Sequence, residues 1–295
     1  MTRIHLMALR HSAFYSPFLL TMAGGHLRAE GLEATYAPAT PGRTVAEALA
    51  DGGCQVAQSA VATSFAALER GERVDVVHFA QINERDGFFL AARRPEPDFT
   101  WERLRQRTVL VDHFFQPLAM FRYALQRMGV DFGALKVIDA GDVDSIERTF
   151  RGGSGDYVHL QGPLPQQLEH EGIASVVAAV GDAVGPVAFS SLCANRAWLG
   201  TDMARAFMRA YRRAREQAIA APAGEIAVLL RAAGFFPSID PAVLTSTVAA
   251  YQRLGCWTPD AAISPGSYER LLDVFLYSGL ITRRHPYEAA VVAPP

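Results

Sequence analysis

The chain has 295 residues, 50% hydrophobic and 20% charged. This places it among water-soluble globular proteins and excludes a disordered, collagen-like or disulfide-built chain. At about 150 residues per domain the length predicts two domains, each able to bury its own core. With 28 basic and 30 acidic residues the net charge is −2 and no basic block occurs, which disfavours a nucleic-acid binder that tracks phosphates.

Periodicity and punctuation predict a strand over Ile4–Leu9, then a helical run opened by Ser16 and Pro17 and closed at Gly31. A second strand is expected over Glu33–Tyr36, a helix capped by Thr44 up to Asp51, and a third strand over Gln55–Gln58. The segment Ser59–Arg70 reads as helix and Val74–Phe79 as a fourth strand. Strands alternating with helices at this spacing imply parallel pairing in a covered sheet. After the apolar Phe88–Ala91, the polar, proline-bearing stretch Arg93–Pro97 marks the expected domain crossing.

The pattern then restarts. Strands are expected over Thr108–Val111, Leu135–Asp139, Tyr157–Leu160 and Ser175–Val180, with helices over Pro117–Met128, Val143–Phe150 and Pro165–Glu171 between them. From about Trp198 the chain reads as mostly helical: Asp202–Ala220, Ala223–Ala233, Pro241–Leu254 and Tyr268–Ser278.

Cys54, Cys193 and Cys256 are widely separated and odd in number, so they read as packing residues rather than a zinc site or a disulfide set. Lys136 is the single lysine, so a Schiff-base lysine would have to be that residue. No cofactor and no metal are expected. Arg10, His11 and Ser12 interrupt the N-terminal apolar run too early for an export signal, and no stretch approaches the ~18 apolar residues of a spanning helix. As given the chain reads as cytoplasmic, or as periplasmic or otherwise extracytoplasmic if a leader was removed; no membrane insertion is expected.

Phe14-Tyr15-Ser16-Pro17 follows the first strand of the first half, and Phe114-Phe115-Gln116-Pro117 follows the first strand of the second. In each an aromatic pair leaves the strand and a proline sits where a first helical turn begins. Two lobes built to one plan would produce this echo. Such lobes face each other across a crevice at the carboxyl ends of their strands, where helix N-termini favour anionic or strongly polar groups.

Several segments together resemble a known family. They are Ala13–Leu20; Met22-Ala23-Gly24-Gly25-His26-Leu27-Arg28-Ala29-Glu30-Gly31-Leu32-Glu33; Ala48–Gly52; Cys54–Ala57; Gly129-Val130-Asp131; Leu254–Thr258; and Ser278-Gly279-Leu280-Ile281. The chain resembles the solute-binding proteins of ABC importers, in the branch of sulfonate, nitrate and thiamine-pyrimidine binding proteins. The resemblance implies an α/β, two-lobe type II periplasmic-binding fold with a ligand cleft between lobes. Lobe 1 would comprise residues 1–92, with residues 188–295 returning to it, and lobe 2 residues 93–187. It implies capture of a small polar or anionic, or aromatic, molecule by hinge closure, with an ABC permease as partner. The alternatives are a cytoplasmic enzyme on the same scaffold, a lyase or pyrimidine-forming protein using His113 or His159, and a cytoplasmic ligand sensor. Two enzymes of this fold depart from the sequence. The fungal thiamine-pyrimidine synthase uses a lysine and a histidine just after the third strand, where Gln58–Ser64 has neither. The biphenyl sulfinate desulfinase uses a cysteine after the first strand, where Arg10–Ser16 has none.

The candidate ligand contacts follow from strand ends and helix starts. Arg10 and Ser12 end the first strand. Phe14 and Tyr15 either sandwich a planar ligand or pack as core. Gly42, Arg43 and Thr44 form a helix start suited to an anion. Ser59 follows the third strand. Gln81, Asn83 and Arg85 alternate onto one face, either crevice wall or exposed edge. In lobe 2, Asp112, His113, Phe114 and Gln116 sit at a strand end, as do His159, Gln161 and Gly162, and His113 is the best acid–base candidate.

Overall fold

A computed structural model describes residues 1–295. Ten strands form: β1 Thr2–Ala8, β2 Leu32–Pro38, β3 Val56–Ser59, β4 Val76–Asn83, β5 Phe88–Ala92, β6 Thr108–Val111, β7 Lys136–Ile138, β8 Tyr157–Gln161, β9 Ser175–Ala179 and β10 Ser190–Asn195. They make two sheets of five, in the orders β2-β1-β3-β10-β4 and β7-β6-β8-β5-β9. Both sheets follow one plan: the second, first and third strands of the lobe run parallel, and a strand from the crossing chain sits antiparallel before the last one. In lobe 1 the inserted strand is β10, and in lobe 2 it is β5.

The insertion corrects the expected boundary. The first crossing runs through residues 84–87 rather than near Ala92, because the buried Phe88–Ala92 pairs with β8 and β9 inside the second sheet. The polar stretch after it is a lobe 2 loop, held by Arg93, which donates to the carbonyls of Phe150, Ser154 and Gly155. The second crossing, residues 185–189, leads into β10. Ser190–Asn195 lacks β-branched residues and carries no strand signal, yet it forms β10. The helical pattern over Ser16–Glu30 predicts one helix. Two form, Ser16–Ala23 and His26–Ala29, because Gly25 at φ 73° breaks the run.

The carboxyl-terminal helices do more than return to lobe 1. Asp202–Ala220 and Ala223–Ala232 pack on Ser16–Ala23 in lobe 1, whereas Pro241–Leu254 and Pro265–Tyr277 also reach lobe 2. Phe275 meets Phe115 at 5.1 Å between ring centres, and Arg270 donates to the Tyr123 hydroxyl. A single core therefore runs from one lobe into the other through Phe14, Phe88, Phe189 and Tyr251. The three cysteines are free and buried.

The first crossing touches the helix Val180–Val184 at Gly181. A Cβ there would lie 2.4 Å from the Asp86 carbonyl oxygen, and backbone cannot step aside as a flexible side chain can. Gly181→Ala is expected to lose about 1–3 kcal/mol of stability by this overpacking. Gly42→Ala, whose Cβ meets open space, serves as the neutral control. Thermal unfolding of both variants checks this, and equal melting temperatures would refute it.

Candidate ligand-binding cleft

The carboxyl ends of β1, β2, β6, β7 and β8 converge on one cleft of about 790 Å³ between the lobes. Lobe 1 contributes Leu9–Ser12 and Pro38–Ala39; lobe 2 contributes Asp112–Phe114, Asp139–Asp144 and Gln161–Leu164. A volume of this size suits a small-molecule ligand. Three contacts bridge the lobes across the cleft. The Arg10 guanidinium lies 3.2 Å from an Asp112 oxygen and 4.5 Å from the centre of the Phe114 ring. The Ser12 hydroxyl donates to the Gly162 carbonyl at 3.0 Å, beside the cis Gly162–Pro163 bond.

Below the cleft floor is a smaller chamber of about 40 Å³. Tyr15, Phe88, Phe114 and Phe189 wall it, and Gln58, Gln116 and Gln161 supply polar groups. Gln116 is buried. Its amide nitrogen donates to the Phe189 carbonyl at 2.7 Å, which leaves Oε1 without a partner. A buried acceptor of this kind favours an incoming donor. Burial raises the Tyr15 phenol above its usual range, so it stays a neutral hydroxyl beside Gln161.

Comparison with known proteins fits this geometry. Residues 14–225 match the NMT1/THI5-like family. The chain belongs to that family. It is 26% identical over 295 residues, 99% of its length, to YtlA of Bacillus subtilis (strain 168), named as a binding protein, and the match covers 88% of YtlA. Among solved structures it resembles the alkanesulfonate-binding protein SsuA from Xanthomonas axonopodis pv. citri bound to MOPS, at TM-score 0.72 and 16% identity, over 99% of each chain. It also resembles the periplasmic aliphatic sulphonate binding protein SsuA from Escherichia coli, at TM-score 0.69 and 16% identity, over 100% of this chain and 93% of that one. The NMT1/THI5-like chain thus has the two-lobe fold of periplasmic binding proteins, and no helix is long and apolar enough to cross a membrane.

In this NMT1/THI5-like chain the cleft and its chamber gather Arg10, Ser12, Tyr15, Asp112, His113, Phe114, Gln116, Gln161 and Gly162 from the expected contacts. The others lie elsewhere. Phe14 is fully buried against Phe189 and Tyr251, filling the space that the missing side chain of Gly87 leaves. Gly42, Arg43 and Thr44 shape a turn outside the cleft. Arg43 makes a two-pronged pair with Asp51, lowering that carboxyl to about 2, and Thr44 caps the helix Val45–Ala50 in a reciprocal capping box with Glu47. Ser59 points to the opposite face of β3 from Gln58, into a separate lobe 1 hollow shared with Thr44 and Thr63. Gln81 and Asn83 do share a face, but it is core rather than crevice wall or exposed edge. Asn83 bonds Ser190 Oγ at 2.7 Å and accepts from Trp257 Nε1 at 2.8 Å. Arg85 lies on the first crossing, donating to the Gly181 carbonyl at 3.3 Å.

The two histidines of the enzyme alternative differ. His113 lines the cleft, with Nδ1 2.8 Å from the Val111 carbonyl. His159 has no exposed surface and sits between Phe88 and Phe121, each ring centre 4.7 Å away, so it cannot reach a ligand. His11 is anchored by the Tyr36 hydroxyl and the Phe235 carbonyl. The chamber also takes in Gln58, Phe88, Phe189 and Ser190, none of them among the expected contacts. Gln58 carries a usable signal, a polar residue near the carboxyl end of an apolar parallel strand. Phe189 and Ser190 become visible only once β10 is known.

Proposed function

We propose that this protein is the solute-binding component of an ABC importer, closing its lobes around one small polar molecule with a flat face. The observation that carries this reading is the convergence of polar strand ends from two similarly built sheets on one cleft with an aromatic-walled chamber at its floor. Family membership and the binding-protein relatives support it, and nothing in the site favours turnover. In that role the protein works on the outer side of the cytoplasmic membrane and hands its solute to a permease. Arg10, Ser12, Tyr15, His113, Phe114, Gln116 and Gln161 are its proposed contacts, with Gln58 added from the chamber.

A thermal-shift screen of small polar and aromatic compounds tests this. A true solute at a hundredfold excess over its Kd adds about 2.7 kcal/mol, a rise of several degrees for a chain of this size. The shift should vanish in Gln161→Leu, and solution scattering should show a smaller radius of gyration on binding. Hits that survive in Gln161→Leu, or bind without compaction, would place the site elsewhere.

A further inference from the structure

The charge of the cleft says more about the solute than its shape does. Four carboxylates line it, Asp112, Asp139, Asp142 and Asp144, all on lobe 2, against one guanidinium, Arg10. Part of the donor set that would hold an anion is already engaged. Arg10 and the Phe114 backbone N–H both serve Asp112, at 3.2 and 2.8 Å. The helix Val143–Arg151 points its amino end at the cleft, but Asp142 caps it and Asp144 sits in its first turn. Clefts lined by one sign of charge concentrate ligands of the opposite sign. A second, independent observation comes from the chamber, where the buried Gln116 presents an unpartnered acceptor oxygen.

The protein itself shows what this corner accepts. The Arg10 guanidinium is a planar cation lying over the Phe114 ring and paired with the Asp112 carboxylate. We infer that the solute is a planar organic cation bearing N–H donors, which takes the place of the Arg10 guanidinium between Phe114 and Asp112 and donates to Gln116 Oε1. This rests on the solute-binding reading above and assigns the charge of its ligand. Arg10 is then a competitor for the site, with its side chain one quarter exposed at the cleft.

Calorimetric titration of the full chain with benzamidinium, its neutral isostere benzamide and benzenesulfonate tests the assignment. Benzamidinium should bind about tenfold more tightly than benzamide, and benzenesulfonate least. Arg10→Ala should tighten benzamidinium by about tenfold, and Asp112→Asn, which keeps the side-chain shape, should weaken it by a similar factor. The sign of the Arg10→Ala effect is decisive, because an anion-binding site would lose affinity with its only guanidinium. Tighter binding of benzenesulfonate than benzamidinium, or weaker benzamidinium binding in Arg10→Ala, overturns the charge assignment and leaves the cleft a solute site. If none of the three binds any variant at millimolar concentration, the charge assignment falls, and the solute-binding reading is decided by the thermal-shift screen alone.

Discussion

Arg215→Ala is expected to lose about 3–5 kcal/mol of stability, a large part of the margin of a domain this size. Arg215, on the helix Asp202–Ala220, is 1% exposed and no carboxylate pairs with it. Its guanidinium instead donates to the carbonyls of Gln81, Ile82 and Thr258 and to the hydroxyls of Tyr211 and Thr258. It joins the helix to the end of β4 and to the loop after Pro241–Leu254, next to the first crossing. Truncation leaves a cavity and strips the Ile82 and Thr258 carbonyls of this donor, whereas Gln81 keeps the Tyr211 hydroxyl at 2.6 Å. Arg215→Lys should recover little, since one ammonium cannot span acceptors arranged for a planar fork. Urea unfolding reads the loss, with a fall in melting temperature of roughly 10 °C. A loss under about 1 kcal/mol would mean that water replaces the guanidinium at no penalty.

His159→Leu should stabilise the protein, and more so in acid. Both ring nitrogens are buried without a hydrogen-bond partner, and burial pulls the imidazole down to about 3. The native ring is therefore neutral across ordinary pH, while in the unfolded chain it takes up a proton below about 6.5. Its contribution is fully present above that value and is lost as pH falls from about 6.5 towards 3, by up to about 1.4 kcal/mol per pH unit. Leucine removes both the orphaned nitrogens, about 1–3 kcal/mol, and the acid penalty. His78, also lowered to about 3, acts in the same direction. Asp86, raised to about 8 by burial, acts in the opposite one, giving stability that is lost as pH rises from about 4 to 8. Both are common to wild type and variant, so the difference between the two proteins isolates His159. Denaturation at pH 7.5 and pH 5 should show the gap widening by about 2 kcal/mol. A gap independent of pH would show that the ring finds a partner or a route to solvent.

Much of the site was legible because parallel strands put function at their carboxyl ends, and strand ends are local features. Arg10, His113, Phe114 and Gln161 each follow an apolar run that reads as a strand without help from the rest of the chain. Ser59 shows the limit. Adjacent residues of a strand face opposite ways, so choosing Ser59 over Gln58 moved the contact from the chamber to the far side of β3. Phe14 and Phe114 are matching members of the internal echo, yet one is fully buried and the other 49% exposed. Gly87 makes the difference, since its bare Cα admits the Phe14 ring.

By itself the amino-acid sequence determined the alternation of strands and helices, its restart in a second half and the strand tips that line the cleft. These depend on periodicity, caps and turns, whose energetics are settled within a few residues. Only the tertiary structure decided that β5 and β10 exchange between lobes, that Arg43 and Asn83 are committed to structural partners, and that carboxylates outnumber the single guanidinium in the cleft. Those outcomes depend on which strands become neighbours. That choice is made by pairings such as Ser191 with Ser59 and with Gln81, more than a hundred residues apart in the chain, which no local pattern records.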